Sequence, residues 1–225
     1  MSMKPIQQGK ILLFSPNMRG MKGGVNRIQP PLGIGYLAAL LEKNGYKVYI
    51  RDTALEGYSH QVPIDQDPRM VLIGESDASI SEYIKKVKPD MVGISILFSN
   101  LAAHAHQLAA LVKKINPRIP VILGGNHVTN AVRDYVFALT PGNEAYHLPR
   151  ELKEIQDPNV DYLMTGESDF DFLDFVQTYF AKKSLENIRG LVMQNDQKEV
   201  VFNHAHLKKE RRDLKDLPHP ARHLM

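Results

Sequence analysis

The sequence predicts an α/β protein built on a doubly wound, five-stranded parallel sheet. Two short apolar runs rich in β-branched residues, Met91–Ile96 and Ile119–Leu123, flank an alanine- and leucine-rich segment, Leu101–Ile115, of helical composition. Strand, helix and strand in so short a stretch is typical of a βαβ unit, and uninterrupted apolar strands favour a parallel sheet covered on both faces. Three further apolar runs alternate with helical segments, which extends this architecture over most of the chain.

Each predicted element follows from its apolar residues and from the residues that end it. Gly45 fits the left-handed position after a helix, and Ser76 or Asp77 fits the start of one, with Ser79 and Glu82 spaced as a capping box. The predicted strands are Lys10–Phe14, Lys47–Ile50, Met91–Ile96, Ile119–Leu123 and Val160–Met164. The predicted helices are Leu32–Asn44, Asp77–Val87, Leu101–Ile115, Asn126–Leu139 and Asp169–Lys182.

The remaining segments lack this periodicity. Residues 15–31, 53–76 and 140–157 contain prolines, glycines and charges and are predicted to be irregular. Gly190–Gln194 and Glu199–Phe202 are spaced as a β-hairpin. The basic tail that follows has interleaved acids, which is typical of a solvated linker and not of a nucleic-acid-binding segment. We therefore expect one domain over residues 1–183, followed by a hairpin and basic linker over residues 184–225.

Composition excludes several classes of function. The chain has 225 residues, 43% of them hydrophobic and 24% charged, with a net charge of +3, which is too mild to indicate a nucleic acid or membrane partner. It contains no cysteine, so it offers no disulfide framework, no thiolate nucleophile and no cysteine-held iron–sulfur cluster. No apolar run approaches the ~20 residues of a membrane helix, and no secretory signal is present. A cytoplasmic location is expected.

The carboxyl ends of the two central strands carry small residues. Gly93, Ser95 and Ser99 lie in or after the first of these strands, and Gly124 and Gly125 follow the second. Ligands of doubly wound sheets bind at this edge, and a flat, bulky ligand needs missing side chains and short hydroxyls where it touches backbone. The alternative is that the glycines only form tight turns between strand and helix. Both interpretations stay open at this point.

A second glycine pattern indicates a different cofactor but stands in the wrong place. Gly33–Ala38 matches the dinucleotide fingerprint G-x-G-x-x-A, with Asp52 near the expected distance. In that fingerprint the glycines form the turn directly after the first strand. Here the first strand ends near Phe14, and Pro30 and Pro31 intervene, so the glycines are predicted to lie inside a helix. Nicotinamide binding is retained only as an alternative.

The histidines do not predict a metal site. His104 and His106 are two apart on a helix and face different directions, and the tail histidines lack metal-like spacing. His127, directly after the glycine pair, is the one histidine placed to meet a ligand at the strand ends. A capping or packing role for His127 is the alternative.

Several segments together resemble one known family. The chain is similar to the amino-terminal cobalamin-binding domain, of Rossmann-like fold, of cobalamin-dependent radical S-adenosylmethionine enzymes. The matching pieces are PPLGIGYLAALLEKNGYKVYIRD (30–52), KPDMVGIS (88–95), VILGGNHVT (121–129), VDYLMTGES (160–168), IRGLV (188–192) and DLKDLPHPARHLM (213–225). The last piece resembles the linker before the radical domain of these enzymes, so the resemblance implies an excised or truncated part of a longer enzyme.

The resemblance also implies which residues contact cobalamin. The corrin ring would lie on the carboxyl edge of the sheet and the nucleotide tail would insert into the domain. On this basis the residues expected to bind the cofactor are Ser95, Ser99, Asn100, Gly124, Gly125, His127, Thr165, Gly166 and Glu167. Gly124 and Gly125 match the glycines that leave room for the tail, so we expect Gly125→Val to abolish or weaken binding while leaving the fold largely intact. Gly-Glu-Ser stands where the family more often has Gly-Glu-Gly-Glu.

The lower face of cobalt is expected to lack a histidine ligand. Many cobalamin-binding folds carry an Asp-x-His-x-x-Gly motif whose histidine binds cobalt. When Gly33 is aligned with the glycine of that motif, Pro30 stands at the histidine position and offers no side-chain donor. Radical enzymes of the family commonly lack the motif as well, so cobalamin would bind base-off. Asn26 and Arg27 are the polar residues expected nearest to cobalt, although Arg27 also fits a solvated loop charge.

The resemblance implies an activity for the parent enzyme only. A partner radical S-adenosylmethionine domain would supply a [4Fe–4S] cluster and S-adenosylmethionine, and most relatives transfer a methyl group while others catalyse ring formation or rearrangement. The chain by itself is expected to bind cobalamin and to catalyse nothing. The alternatives are a degenerate docking domain that binds no corrinoid and the dinucleotide-binding domain described above.

Overall fold

The computed structural model describes residues 9–65, 67–143, 146, 148–203 and 214–225. Its strands are β1 (Lys10–Ser15), β2 (Met18–Met21), β3 (Lys47–Asp52), β4 (Gln61–Ile64), β5 (Asp67–Ile73), β6 (Met91–Ser95), β7 (Val121–Gly124), β8 (Tyr162–Met164), β9 (Leu191–Gln194) and β10 (Val200–Phe202). Its α-helices are α1 (Leu32–Lys43), α2 (Thr53–Glu56), α3 (Asp77–Val87), α4 (Ala102–Ile115), α5 (Asn126–Leu139), α6 (Lys153–Gln156) and α7 (Asp169–Phe180). Short 3₁₀ turns lie at Ser99–Leu101, Leu214–Asp216 and Arg222–Leu224.

The five predicted strands form the parallel part of the main sheet, which confirms the fold class. The strand order is β10-β9-β8-β7-β6-β1-β3, and β3, β1, β6, β7 and β8 are mutually parallel. The predicted hairpin is present as β9 and β10, and β9 pairs antiparallel with β8. The hairpin therefore extends the main sheet to seven strands instead of standing apart from it.

Each face of the sheet is covered by its own helices. One core holds side chains of α3, α4 and α5, and the other holds those of α1 and α7. On the last helix, α7, the aromatic side chains of Phe172 and Phe175 are buried in the second of these cores. Strand β1 lies between β3 and β6 in the sheet. The helix α1, after β1, covers one face, and the helix α3, before β6, covers the other. The crevice at the carboxyl ends of β1 and β6 is therefore the topological switch point, where ligands of such sheets bind.

A second, small sheet forms from segments that were predicted to be irregular, so that prediction is wrong for these residues. Strands β2, β5 and β4 form a three-stranded antiparallel sheet from residues that the sequence indicated to be loop. Arg51 and Glu75 join this sheet to the main one through two hydrogen bonds of 2.8 and 2.6 Å. The helix α6, also unpredicted, lies within residues 140–157 and is anchored by the buried Leu152 and Ile155.

Helix ends agree with the sequence in part. Gly45 adopts φ +85° after α1, and Ser76 caps α3 by accepting a hydrogen bond from the Ser79 backbone N–H. The expected capping box of Ser79 and Glu82 is wrong, because the Ser79 hydroxyl donates to Glu75 Oε1 at 2.6 Å. Lys88 ends α3 in the left-handed region.

The C-terminal residues 214–225 pack against α1. The prediction that this part of the linker is solvated is therefore wrong. The Ala221 backbone N–H donates to the Gly35 carbonyl at 2.9 Å, and Lys43 Nζ donates to the Asp216 carbonyl at 3.3 Å. The segment thus runs from the C-terminal end of α1 towards its N-terminal end. The basic run at residues 206–213 lies outside the described residues. No described helix is long and apolar enough to cross a membrane.

Candidate functional site

The carboxyl ends of β6 and β7 bring Ser95 and Gly124 side by side. The two residues are paired in register, and the Ile96 N–H donates to the Gly124 carbonyl at 2.8 Å. Ser95 is half-buried, and a side chain added at Gly124 would meet only the Met164 carbonyl oxygen, at an ordinary contact distance of 3.5 Å. The predicted proximity of these small residues is confirmed.

Gly125 has a structural reason to be glycine. Its backbone lies at φ +96° and ψ −178°, a region that essentially only glycine adopts. A Cβ at this position would lie 2.7 Å from the Ile96 carbonyl oxygen. The expectation that Gly125→Val leaves the fold intact is therefore wrong, because the added atoms would meet the end of β6. Of the two interpretations left open by the sequence, the tight turn accounts for this glycine.

Ser99, His127 and Glu154 form a hydrogen-bonded chain beside these strand ends. His127 Nδ1 lies 3.0 Å from Ser99 Oγ, and His127 Nε2 lies 3.1 Å from Glu154 Oε1. Ser99 and the neighbouring Asn100 are exposed in the 3₁₀ turn after β6, whereas the side chains of His127 and Glu154 are 14% and 13% exposed. His127, which was predicted to meet the ligand, thus has an acidic hydrogen-bond partner that the sequence did not indicate.

Thr165, Gly166 and Glu167 follow β8 at the same edge. The Thr165 N–H and hydroxyl both donate to the Gly190 carbonyl, at 2.9 and 3.0 Å, which ties the strand end to β9. Gly166 has φ +78°, and a Cβ added to it would meet no atom within 4 Å. Glu167 is exposed. Gly166, unlike Gly125, is therefore a position where an absent side chain leaves open space.

The loop after β2 contains the residues predicted to lie nearest to cobalt. Asn26 Oδ1 accepts a hydrogen bond from the Met21 N–H at 2.9 Å, and its Nδ2 donates to the Met21 carbonyl at 3.0 Å. Asn26 therefore closes its own loop. Arg27 and Pro30 are exposed. Because β2 contacts the 3₁₀ turn Ser99–Leu101, this loop belongs to the same edge as the serines.

Large apolar side chains are exposed on this edge. Leu97 and Phe98, directly after β6, are 55% and 63% exposed. Met21 at the end of β2 and Val25 in the loop that follows are also exposed. Exposed apolar groups of this size next to a ligand-binding edge indicate a contact surface. The sequence signal is that the apolar run continues past the predicted strand Met91–Ile96 into Leu97 and Phe98, for which the sequence alone predicted no role.

A separate cavity of about 170 Å³ lies between the small sheet, α3 and α4. Asn17 Oδ1 and His104 Nε2 are buried there and have no hydrogen-bond partner among the described residues. Burial, reinforced by the positive charge of Arg19, lowers the pKa of His104. None of the residues predicted to bind the cofactor lines this cavity. Among the described residues, no three His, Cys, Asp or Glu side chains are grouped as a metal site.

The residues of the dinucleotide fingerprint have other tasks. Gly33 and Gly35 lie within α1, and Gly35 packs against Pro220 and Met225 of the C-terminal segment. Asp52 is buried and caps α2 by accepting hydrogen bonds from the N–H groups of Ala54 and Leu55, each at 3.2 Å. Burial raises the pKa of Asp52, and the two N–H donors oppose that change. The fingerprint is therefore a feature of helix packing, as its position in the sequence indicated.

Comparison with known proteins shows which family this chain resembles. The family model of the B12 binding domain matches residues 18–146. The chain is 32% identical to the cytidylyl-2-hydroxyethylphosphonate methyltransferase of Streptomyces wedmorensis over 186 residues, which make up 83% of this chain and 31% of that protein. It is 25% identical to the anaerobic magnesium-protoporphyrin IX monomethyl ester cyclase of Rubrivivax gelatinosus over 74% of this chain and 24% of that protein. The chain thus spans a third or less of the length of these relatives.

Solved structures share the fold. The cobalamin-dependent S-adenosylmethionine radical enzyme OxsB, with aqua-cobalamin and S-adenosylmethionine bound, superposes with a TM-score of 0.62 at 14% identity, covering 96% of this chain and 24% of OxsB. The radical S-adenosylmethionine methyltransferase TsrM from Kitasatospora setae superposes with a TM-score of 0.57 at 15% identity, covering 88% of this chain and 30% of TsrM. The predicted resemblance to cobalamin-binding domains is confirmed by the family match, which covers more than half of the chain: this protein belongs to the family of B12-binding domains.

Proposed function

We propose that this chain binds cobalamin at the carboxyl edge of β6, β7 and β8, as one domain of a larger cobalamin-dependent radical S-adenosylmethionine methyltransferase. The observation that carries the proposal is the open edge itself, where Gly124 and Gly166 leave space and where Leu97 and Phe98 are exposed directly after β6. A flat, largely apolar macrocycle with a polar periphery matches a surface of missing side chains, apolar groups and short hydroxyls. The residues present therefore fit cobalamin.

The chain's own residues would position the cofactor. Ser95 and Ser99 would hydrogen-bond the nucleotide tail, and the open side of Gly124 and Gly166 would admit it. Leu97 and Phe98 would cover apolar corrin surface and exclude water there. When bound, cobalamin supplies a cobalt centre that can carry a methyl group, and the domain contributes binding and orientation.

The lower face of cobalt would receive no histidine in this proposal. Pro30 has no side-chain donor, and Asn26 is already engaged with the backbone of its own loop. The exposed Arg27 is the polar residue of this loop that we propose to approach the cofactor. Cobalamin would bind base-off, with no histidine of this loop available to cobalt.

The radical domain is proposed as the partner for two reasons. The matched region makes up 31% of the methyltransferase from Streptomyces wedmorensis and 24% of OxsB, so most of each relative lies outside it. The C-terminal segment of this chain runs along α1 towards the end nearest the carboxyl edge of the sheet, where Met225 contacts Gly35. This segment thus leads to the edge at which the cofactor is proposed to bind, which is where a partner domain would have to contact this chain. The [4Fe–4S] cluster and S-adenosylmethionine would belong to that domain, because this chain has no cysteine.

Retention of hydroxocobalamin tests the proposal. The purified chain is mixed with hydroxocobalamin, desalted and examined by absorption spectroscopy, and we expect it to stay red. Paramagnetic resonance of the Co(II) form should show no nitrogen coupling from a histidine. A colourless protein after desalting would support a docking domain that binds no corrinoid, and histidine coupling would contradict the base-off arrangement without a histidine ligand.

A further inference from the structure

The hydrogen-bonded chain of Ser99, His127 and Glu154 runs from the surface of the proposed cofactor site into the protein. Ser99 stands in the exposed turn after β6, His127 in the first turn of α5, and Glu154 on α6. The Nδ1–Oγ and Nε2–Oε1 distances of 3.0 and 3.1 Å are those of hydrogen bonds. The three residues come from three separate segments, so the fold, and not local sequence, brings them together.

The carboxylate determines which way the protons point. An ionised carboxylate only accepts hydrogen bonds, so His127 donates to Glu154 through Nε2–H. In the neutral imidazole Nδ1 then carries a lone pair and accepts. The Ser99 hydroxyl therefore donates its single proton to His127. Its oxygen is left with lone pairs only, on a residue that is exposed.

We propose that Glu154 and His127 are positioning residues that make Ser99 a fixed hydrogen-bond acceptor for the bound corrinoid. The inference rests on the proposed function, because it specifies how one residue of that site meets its ligand. The matching ligand groups are donors, such as the amide N–H groups on the corrin periphery or the ribose hydroxyl of the nucleotide tail. A hydroxyl already held in one orientation loses less rotational freedom on binding than a free one.

The anchoring of α6 supports a positioning role for Glu154. Leu152 and Ile155 are buried in the core on either side of it. Asp157, just after α6, lies 2.6 Å from His106 on α4. Because these contacts hold α6 independently of Glu154, its carboxylate can be removed without releasing the segment. The pair of His106 and Asp157 also offers a control contact that ties down the same segment without reaching Ser99.

A double-mutant cycle on cobalamin affinity tests the proposal. Hydroxocobalamin dissociation constants are measured for the wild-type chain, Ser99→Ala, Glu154→Ala and the double variant. We expect Ser99→Ala to weaken binding about two- to twelvefold, the range for one hydrogen bond. Glu154→Ala should raise the dissociation constant by a smaller factor than Ser99→Ala. The double variant should bind no more weakly than Ser99→Ala alone. His106→Ala should show no such coupling to Ser99→Ala.

The proposal is overturned if Glu154→Ala weakens hydroxocobalamin binding by the same factor with and without Ser99→Ala. That result is expected of a carboxylate that only supports the fold. Should Glu154→Ala not fold, Glu154→Gln and His127→Asn take its place in the cycle. The tautomer is measured without cofactor, from proton–nitrogen correlations of the histidine rings assigned with His127→Asn. A proton on Nδ1 of His127 contradicts the proposal. If the wild-type chain binds no hydroxocobalamin, the proposed function is contradicted as well. If the wild-type chain binds normally but the two substitutions act independently on affinity, only this inference is contradicted.

Discussion

Replacing Gly125 by alanine should destabilise the fold far more than the same change at Gly166. Both glycines have positive φ and both lie at strand ends on the carboxyl edge. At Gly125 the backbone region essentially excludes other residues, which costs about 1–3 kcal/mol. The methyl group would also lie 2.7 Å from the Ile96 carbonyl oxygen. Forcing that backbone apart adds about 1–3 kcal/mol, so Gly125→Ala should lose about 2–6 kcal/mol in free energy of unfolding.

Gly166→Ala is the matched control. Its methyl group would meet nothing within 4 Å, so only the left-handed backbone costs energy, about 1–2 kcal/mol. Urea denaturation followed by circular dichroism measures both free energies of unfolding. At about 2–4 °C per kcal/mol for a chain of this size, the melting temperatures should differ visibly as well. If Gly125→Ala costs no more free energy of unfolding than Gly166→Ala, the contact between Gly125 and Ile96 does not constrain the strand ends as argued.

Three further predictions concern the cofactor edge, the cavity and the link between the two sheets. Gly166→Leu should weaken hydroxocobalamin binding at least about tenfold at a stability cost near that of Gly166→Ala, because its side chain would enter the open space; unchanged affinity in equilibrium dialysis places the ligand elsewhere. The pKa of His104 is lower in the folded chain than in the unfolded chain. The neutral, buried imidazole therefore stabilises the fold above the unfolded-state pKa, and this stabilisation is lost as the pH falls through the folded-state pKa. His104→Leu should therefore lose less stability than wild type between about pH 7 and pH 5, with the exposed His219→Leu as control; equal slopes in urea titrations contradict this. Glu75→Gln should cost about 3 kcal/mol, because it breaks the ion pair with Arg51 while its own side chain is only 4% exposed; a change below about 1 kcal/mol would show the pair to be dispensable.

The main sheet could be predicted because each parallel strand carries its own signal. Residues such as Ile11–Phe14 and Val121–Leu123 are buried on both faces, so their apolar character is local and continuous. The small sheet has no such signal. Strand β2 is short and largely exposed, and β4 contains Pro63 and exposed side chains. Their order comes from pairing with β5, which is distant from β2 in the sequence, and pairing of that kind is not encoded in periodicity.

The site could be predicted by position but not by contact. The serines and glycines at the ends of β6 and β7 do lie together, because parallel strands bring their carboxyl ends to one edge. The partner of His127 could not be foreseen, because Glu154 lies on a four-residue helix in a segment without periodicity. Sequence also cannot tell whether an absent side chain makes room for a ligand or for the chain itself. Gly166 leaves open space, whereas the space beside Gly125 is filled by Ile96.

This difference between the two glycines divides the carboxyl edge into a rigid base and an open surface. At the base, Gly125 packs on Ile96, and the His127 N–H donates to the Ile96 carbonyl at 3.0 Å, so the start of α5 is clamped to the end of β6. The residues that face outwards, such as Ser95, Ser99 and Gly166, are then held by backbone contacts that a bound ligand need not make. Variants at the base should lower stability first and affinity only as a consequence. Variants of the open surface should lower affinity at nearly constant stability, so measuring both quantities assigns each residue of this edge to one group.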